Sequence, residues 1–166
     1  VRIMTIHASK GLDFDCVFCR ETHPVLKDVL ARAGSDVQFA RIPLALDSGG
    51  LSRDAGKRYL KAVRDGSAEQ VADALMEGEA LTDEHVKPPE ISDRPPTDDV
   101  FGREVDQSTA AYHAAVLKGL PQIWVDDIPL IGAGDARRIE AAIERARSRK
   151  VARPATESAR EANPNR

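Results

Sequence analysis

The sequence predicts an α/β protein in which a βαβ half and a ββα half are separated by a helical insertion. Three observations carry that prediction. Val1–His7 and Val37–Leu44 alternate apolar and polar residues in period two, with a helical pattern between them. Gly119–Gly134 reads as two short strands about an Asp126-Asp127 turn, followed by an amphipathic run. Between the halves, apolar residues from Ala55 to Leu117 gather into helical runs set apart by glycines.

The first strand, Val1–His7, enters a loop at Ala8-Ser9-Lys10-Gly11 and delivers the chain to Cys16. A helix follows, with Val25, Leu26, Val29 and Leu30 on one face, Lys27, Asp28 and Arg32 on the other, and Gly34 as its stop. Val37–Leu44 is the second strand, ended by Pro43 and paired parallel to the first through a right-handed crossover. Ser52 is read as the cap of a helix from Arg53 to Asp65, and Ser67 as the cap of one from Ala68 to Glu77. Lys87–Glu90 and Asp93–Asp99 are proline-rich, charged and irregular by composition. Asp106 or Ser108 is expected to open a helix through Ala110, Ala114 and Leu117 that closes at Gly119. The last helix runs from Asp135 to about Arg149, with Ile139, Ala142, Ile143 and Ala146 inward and Arg137, Arg138, Glu140 and Glu144 outward. From Val151 no apolar period remains, and the tail is expected to be disordered. One domain over 1–149, with an insertion at 45–118 and a tail at 150–166, is the organisation expected.

A chain of 166 residues is long enough to bury one core. Its net charge of −3 gives no basic surface for nucleic acid, and 4% aromatic residues leave few stacking platforms. No apolar run approaches the ~20 residues that span a bilayer, so neither a nucleic-acid partner nor direct membrane insertion is expected. The chain starts at Val1 without a charged, then apolar, then small-residue leader, as a processed protein or a cut fragment would.

The chemistry concentrates in Cys16-Val17-Phe18-Cys19, which holds both cysteines. Cysteines two residues apart can close a small disulfide when the first opens a helix and the second lies one turn inside it. At a helix N-terminus, unpaired N–H groups and the macrodipole favour thiolate over thiol, making Cys16 the nucleophile. Val17 and Phe18 are apolar and provide no histidine for the thiolate, while Asp13 and Asp15 oppose it by like charge. His23 fits a helix-surface or supporting position. Trp124 fits the core, and His85 and His113 fit solvated positions. Two plainer readings stay open for the pair: a structural couple, or part of a zinc site with His23 and His7.

With Asp13-x-x-Cys16-x-x-Cys19, His23, the Ile42-Pro43-Leu44 strand end and the Gly119-x-Pro121-x-hydrophobic strand before a hairpin and helix, the chain resembles thioredoxin-like thiol-disulfide oxidoreductases. The nearest likeness is to the periplasmic Dsb proteins, especially the DsbC/DsbG catalytic domain, and it runs from about Val1 to about Arg147. The resemblance implies a thioredoxin-like fold, a central mixed sheet flanked by helices, with residues 45–118 as a cap beside the active site. It implies Cys16 and Cys19 as the catalytic pair, and a cis bond before Pro121 that lets Leu120 offer its backbone to an extended substrate beside Val17 and Phe18. Threonine or valine is more usual than Leu120, and the loop from Ala8 to Asp15 is longer than in such proteins. No cofactor beyond the redox-active Cys16–Cys19 disulfide is implied. The partners would be cysteine-containing proteins and a membrane or soluble thiol-redox partner, in the periplasm. Isomerase activity in the DsbC group goes with an N-terminal dimerisation domain that this sequence does not include, which leans the expectation to an oxidase or reductase. The alternative is a thioredoxin-like binding or assembly module without redox turnover.

A second resemblance covers Met4-Thr5-Ile6-His7-Ala8-Ser9-Lys10-Gly11-Leu12-Asp13-Phe14, which is similar to a segment of superfamily-1 helicases. No Gly-x-x-x-x-Gly-Lys-Ser/Thr loop accompanies it, so ATP hydrolysis is not expected.

Overall fold

The computed structural model of the chain describes residues 1–7, 14, 17–45, 50–78, 81–86, 99–115, 122–131 and 135–152, with backbone alone at 4–7, 17, 131 and 152. Four strands, β1 (Arg2–His7), β2 (Gln38–Pro43), β3 (Gln122–Val125) and β4 (Ile128–Ile131), form one sheet in the order β2-β1-β3-β4. β1 is parallel to β2, with Ile3 opposite Phe39 and Thr5 opposite Arg41. It is antiparallel to β3, with Ile3 opposite Val125, and β3 and β4 make the hairpin. The sheet is therefore mixed, as the two predicted halves require. The helicase-like segment contributes its first residues to the strand paired on both sides.

The period-two pattern decides what lies inside. Ile3, Ile123, Val125 and Leu130 turn to the face covered by α1 (Val17–Ala33) and α6 (Ala136–Ala152). There they meet Leu26 and Val29 of α1 and Ile139, Ala142, Ile143 and Ala146 of α6, the inward residues expected from helical spacing. Burial of each such leucine, isoleucine or valine stabilises by about 1.5–3 kcal/mol. Gly34 stops α1 with φ 82°, a conformation that costs glycine little. At the hairpin, Asp126 takes φ 51°, its N–H donates to the Arg2 carbonyl at 2.8 Å, and its Oδ1 accepts from the Arg2 N–H at 2.7 Å. The turn thus prolongs the β1–β3 ladder by one rung.

Between β2 and β3 lie α2 (Leu51–Asp65), α3 (Ala68–Met76), α4 (Asp83–Val86) and α5 (Val100–Ala114). α2 and α5 both touch β2, and Gly56 sits where α2 meets Val105 of α5 and Pro43 of β2. Arg53 of α2 grips Asp99 at 2.8 Å and Asp106 at 2.9 Å.

Several boundaries differ from the sequence reading. Gly50, extended, caps α2 in place of Ser52, which is buried inside the helix. Ser67 does precede α3, but its side chain makes no capping bond. α5 begins at Val100 rather than Asp106 or Ser108, because the Asp99 carboxylate accepts the Gly102 N–H at 3.1 Å and caps the helix there. It ends at Ala114, short of Gly119. α4 was not anticipated; one turn is too short to show a period. α6 continues to Ala152, three residues into the predicted 150–166 tail, and residues 153–166 lie outside those described. No helix among the described residues is long and apolar enough to cross a membrane.

Candidate functional site

Of the residues singled out, Cys19 and Phe18 are placed in full. Val17 opens α1 with its backbone alone described, and Cys16, Leu120 and Pro121 lie outside the described residues. Cys19 sits in the first turn of α1, and its side chain is fully buried. Phe18, one position before it, is 51% exposed. β3 starts at Gln122, directly after Pro121 in sequence, and Gln122 pairs with Ile6 near the end of β1.

Cys19 is walled in by the helical insertion. It clusters with Phe14, Ala55 and Tyr59 of α2, Ala72, Leu75 and Met76 of α3, and Leu81. The Phe14 and Tyr59 rings meet at 6.1 Å. Helices α2 and α3 therefore pack against the first turn of α1.

The α1 residues that hold α3 in place follow one helical stripe: Arg20, His23 and Lys27. Arg20 Nη1 donates to the Glu77 carbonyl at 2.8 Å and to that of Gly78 at 3.3 Å, where α3 exposes its terminal carbonyls. Lys27 donates to both Asp73 oxygens, at 2.8 and 2.7 Å. His23 is buried, not at the helix surface, and bridges Asp73 and Arg41: Nε2 lies 2.8 Å from Asp73 Oδ1, and Arg41 Nη2 lies 3.1 Å from Nδ1. Arg41, inward on β2, also bonds Glu69 of α3 at 2.8 Å and stacks on Phe39 at 4.8 Å. Pro24, next to His23, lacks the N–H that would bond the Arg20 carbonyl, so the backbone ladder is interrupted at this point of α1.

Burial pushes the His23 imidazole below its usual value, and the bond to Asp73 only partly opposes this. Lys27 first, then His23, holds the Asp73 carboxyl below the usual range. Burial raises the Tyr59 hydroxyl. The bonds to Arg41 and Asp73 engage both His23 nitrogens. Among the described residues no group of three or more His, Cys, Asp or Glu is placed to hold a metal ion. His85 is half-buried, with Nδ1 accepting the Thr82 N–H at 2.9 Å, while His113 is exposed as expected. Trp124 is only partly buried, although its indole N–H is shielded and lacks an acceptor among the described residues.

The burial of His23 and Arg41 was not anticipated. One signal was available: Arg41 has the same period-two phase as Phe39 and Pro43, which marks an inward cation in need of partners.

Solved structures superpose on most of this chain. A periplasmic thioredoxin-like protein from Salmonella enterica serovar Typhimurium superposes with a TM-score of 0.69 at 17% identity, covering 87% of this chain and 82% of that one. The catalytic domain of Proteus mirabilis ScsC gives 0.69 at 19% identity, with coverage of 87% and 81%. The thiol-disulfide exchange protein α-DsbA2 from Wolbachia pipientis gives 0.65 at 19%, with coverage of 88% and 81%. The fold is thus thioredoxin-like. No protein-family model and no curated protein sequence matches the chain.

Proposed function

We propose that this chain, which has the thioredoxin-like fold shared by ScsC and DsbA proteins, is a thiol-disulfide oxidoreductase acting on cysteine-containing proteins through Cys16 and Cys19. The observation that carries the reading is the placement of Cys19: a buried thiol in the first turn of α1, with an exposed phenylalanine one residue before it. Such a thiol is shielded from outside reagents and suited to attack a sulfur held at the helix N-terminus.

In the reducing direction, the Cys16 thiolate attacks one sulfur of a substrate disulfide, and the other leaves as a thiolate that takes up a proton. Cys19, deprotonated, then attacks the Cys16 sulfur, expels the second substrate thiolate and closes the Cys16–Cys19 disulfide. Two electrons pass from the cysteine pair to the substrate. The reverse sequence oxidises a substrate dithiol and leaves Cys16 and Cys19 as thiols. Leu120 and Pro121 supply the backbone edge against which an extended substrate lies, and Phe18 and Val17 contact its side chains. A thiol-redox protein resets the pair, and the periplasm, where the Salmonella relative is found, is the compartment that suits this chemistry.

The test is trapping. Cys19→Ser should accumulate mixed disulfides between Cys16 and client proteins, released by reductant, whereas Cys16→Ser should trap none. Equal behaviour of the two variants, with function intact in both, would make the chain a binding module whose cysteines are dispensable.

A further inference from the structure

The buried cluster between α1, β2 and α3 holds more polar chemistry than packing requires. A guanidinium only donates, so Arg41 Nη2 at 3.1 Å needs a lone pair on His23 Nδ1. The imidazole proton then belongs on Nε2, where it donates to Asp73 Oδ1 at 2.8 Å. Among the described residues, the charged groups facing the ring fit that neutral form. Arg41 from β2 is neutralised by Glu69 of α3, and Asp73 of α3 is neutralised by Lys27 of α1. Arg20, on the same stripe of α1, is turned to the Glu77 and Gly78 carbonyls, and Tyr59 of α2 lies against Arg41. A second imidazole proton would place an N–H against a guanidinium N–H and add a positive charge to a balanced, buried set.

We infer that His23 is a protonation-sensitive latch: neutral, it fastens the cysteine helix α1 to β2 and α3 over Cys19, and protonated, it lets α3 loosen and uncovers that thiol. Under the oxidoreductase reading this makes Cys19 more reachable in mildly acidic surroundings. The latch itself does not depend on disulfide exchange. Its sign follows from linkage. The folded His23 value lies below the unfolded one of about 6.5, so the latch is fully engaged above that value. It is lost as pH falls from there through the folded value.

Amide hydrogen exchange on the full, reduced chain tests it, with rates corrected for the intrinsic pH dependence of exchange. Between about pH 7.5 and about pH 5, protection in α1 and α3 should fall in wild type, while α6 keeps its protection. His23→Gln should show no such fall. The same pH dependence in wild type and His23→Gln would overturn the inference. Nitrogen-15 shifts of the wild-type imidazole need no variant: they should report Nε2–H at neutral pH, and Nδ1–H or an imidazolium there would overturn it equally. Neither readout involves turnover, so failure of the latch is distinguishable from failure of the redox reading.

Discussion

Replacing Gly56 by alanine should press the helical insertion away from the sheet. A Cβ at this position would lie 2.8 Å from Val105 Cγ2, 3.4 Å from Val105 Cγ1 and 3.3 Å from Pro43 Cβ. Carbon atoms pack at about 3.5–4.0 Å, so the closest contact is short by about 1 Å. Val105 is fully buried and Pro43 is fixed in a strand, so neither can move aside cheaply. Overpacking of this kind costs about 1–3 kcal/mol, and alanine returns about 1 kcal/mol through its better helix propensity. Gly56→Ala should therefore destabilise by about 1 kcal/mol in urea unfolding, with an unchanged slope. Val105→Ala, which deletes two buried methyl groups, should cost about 2–3 kcal/mol. In the double variant the new Cβ occupies part of the vacated space, so the two changes should cost about 1–2 kcal/mol less than their sum. Additivity within ~0.5 kcal/mol would refute the α2–α5 contact on which the cap beside Cys19 depends.

Leu26→Ala opens a cavity between α1 and the sheet, and urea unfolding should register about 2–5 kcal/mol of lost stability. With Cys16→Ser in place, Cys19 should react with iodoacetamide far more slowly than an exposed thiol and reach the ordinary rate only in denaturant, because its side chain is fully buried. Hydrogen bonds from Arg53 hold the Asp106 carboxyl low, and with the Gly102 N–H they outweigh burial and lower Asp99 as well. Stability from these pairs is present above the unfolded carboxylate value of about 3.9 and lost as pH falls through the folded values. The cost of Arg53→Met in urea unfolding should thus be larger at about pH 6 than at about pH 3, and an equal cost at both would deny the pairs a role.

Much of the fold was legible because it rests on short-range periodicity. Val1–His7, the stripe Leu26–Val29, the Asp126-Asp127 turn and the inward set Ile139, Ala142, Ile143 and Ala146 each announce themselves within one turn or one strand. What escaped reading depends on partners far along the chain. Asp99 caps α5 although Pro95-Pro96 just before it suggest irregular chain, and Gly50 rather than Ser52 caps α2 because Ser52 is drawn into the interior. His23 looks like a surface histidine until Arg41, 18 residues away, and Asp73, 50 residues away, are brought to it. The cysteine spacing drew attention to α1, and the structure adds the wall of α2 and α3 side chains around Cys19 that no local pattern encodes.

The most direct test of the central claim is the reduction potential of the Cys16–Cys19 pair, read by counting free thiols after equilibration in glutathione buffers of graded ratio. The account predicts a reversible two-electron transition with an intramolecular disulfide at its oxidised end. A value of about −120 to −180 mV would mark an oxidant or isomerase, and one near about −270 mV a reductant. Two free thiols at every ratio would contradict the account and leave the cysteines a structural role.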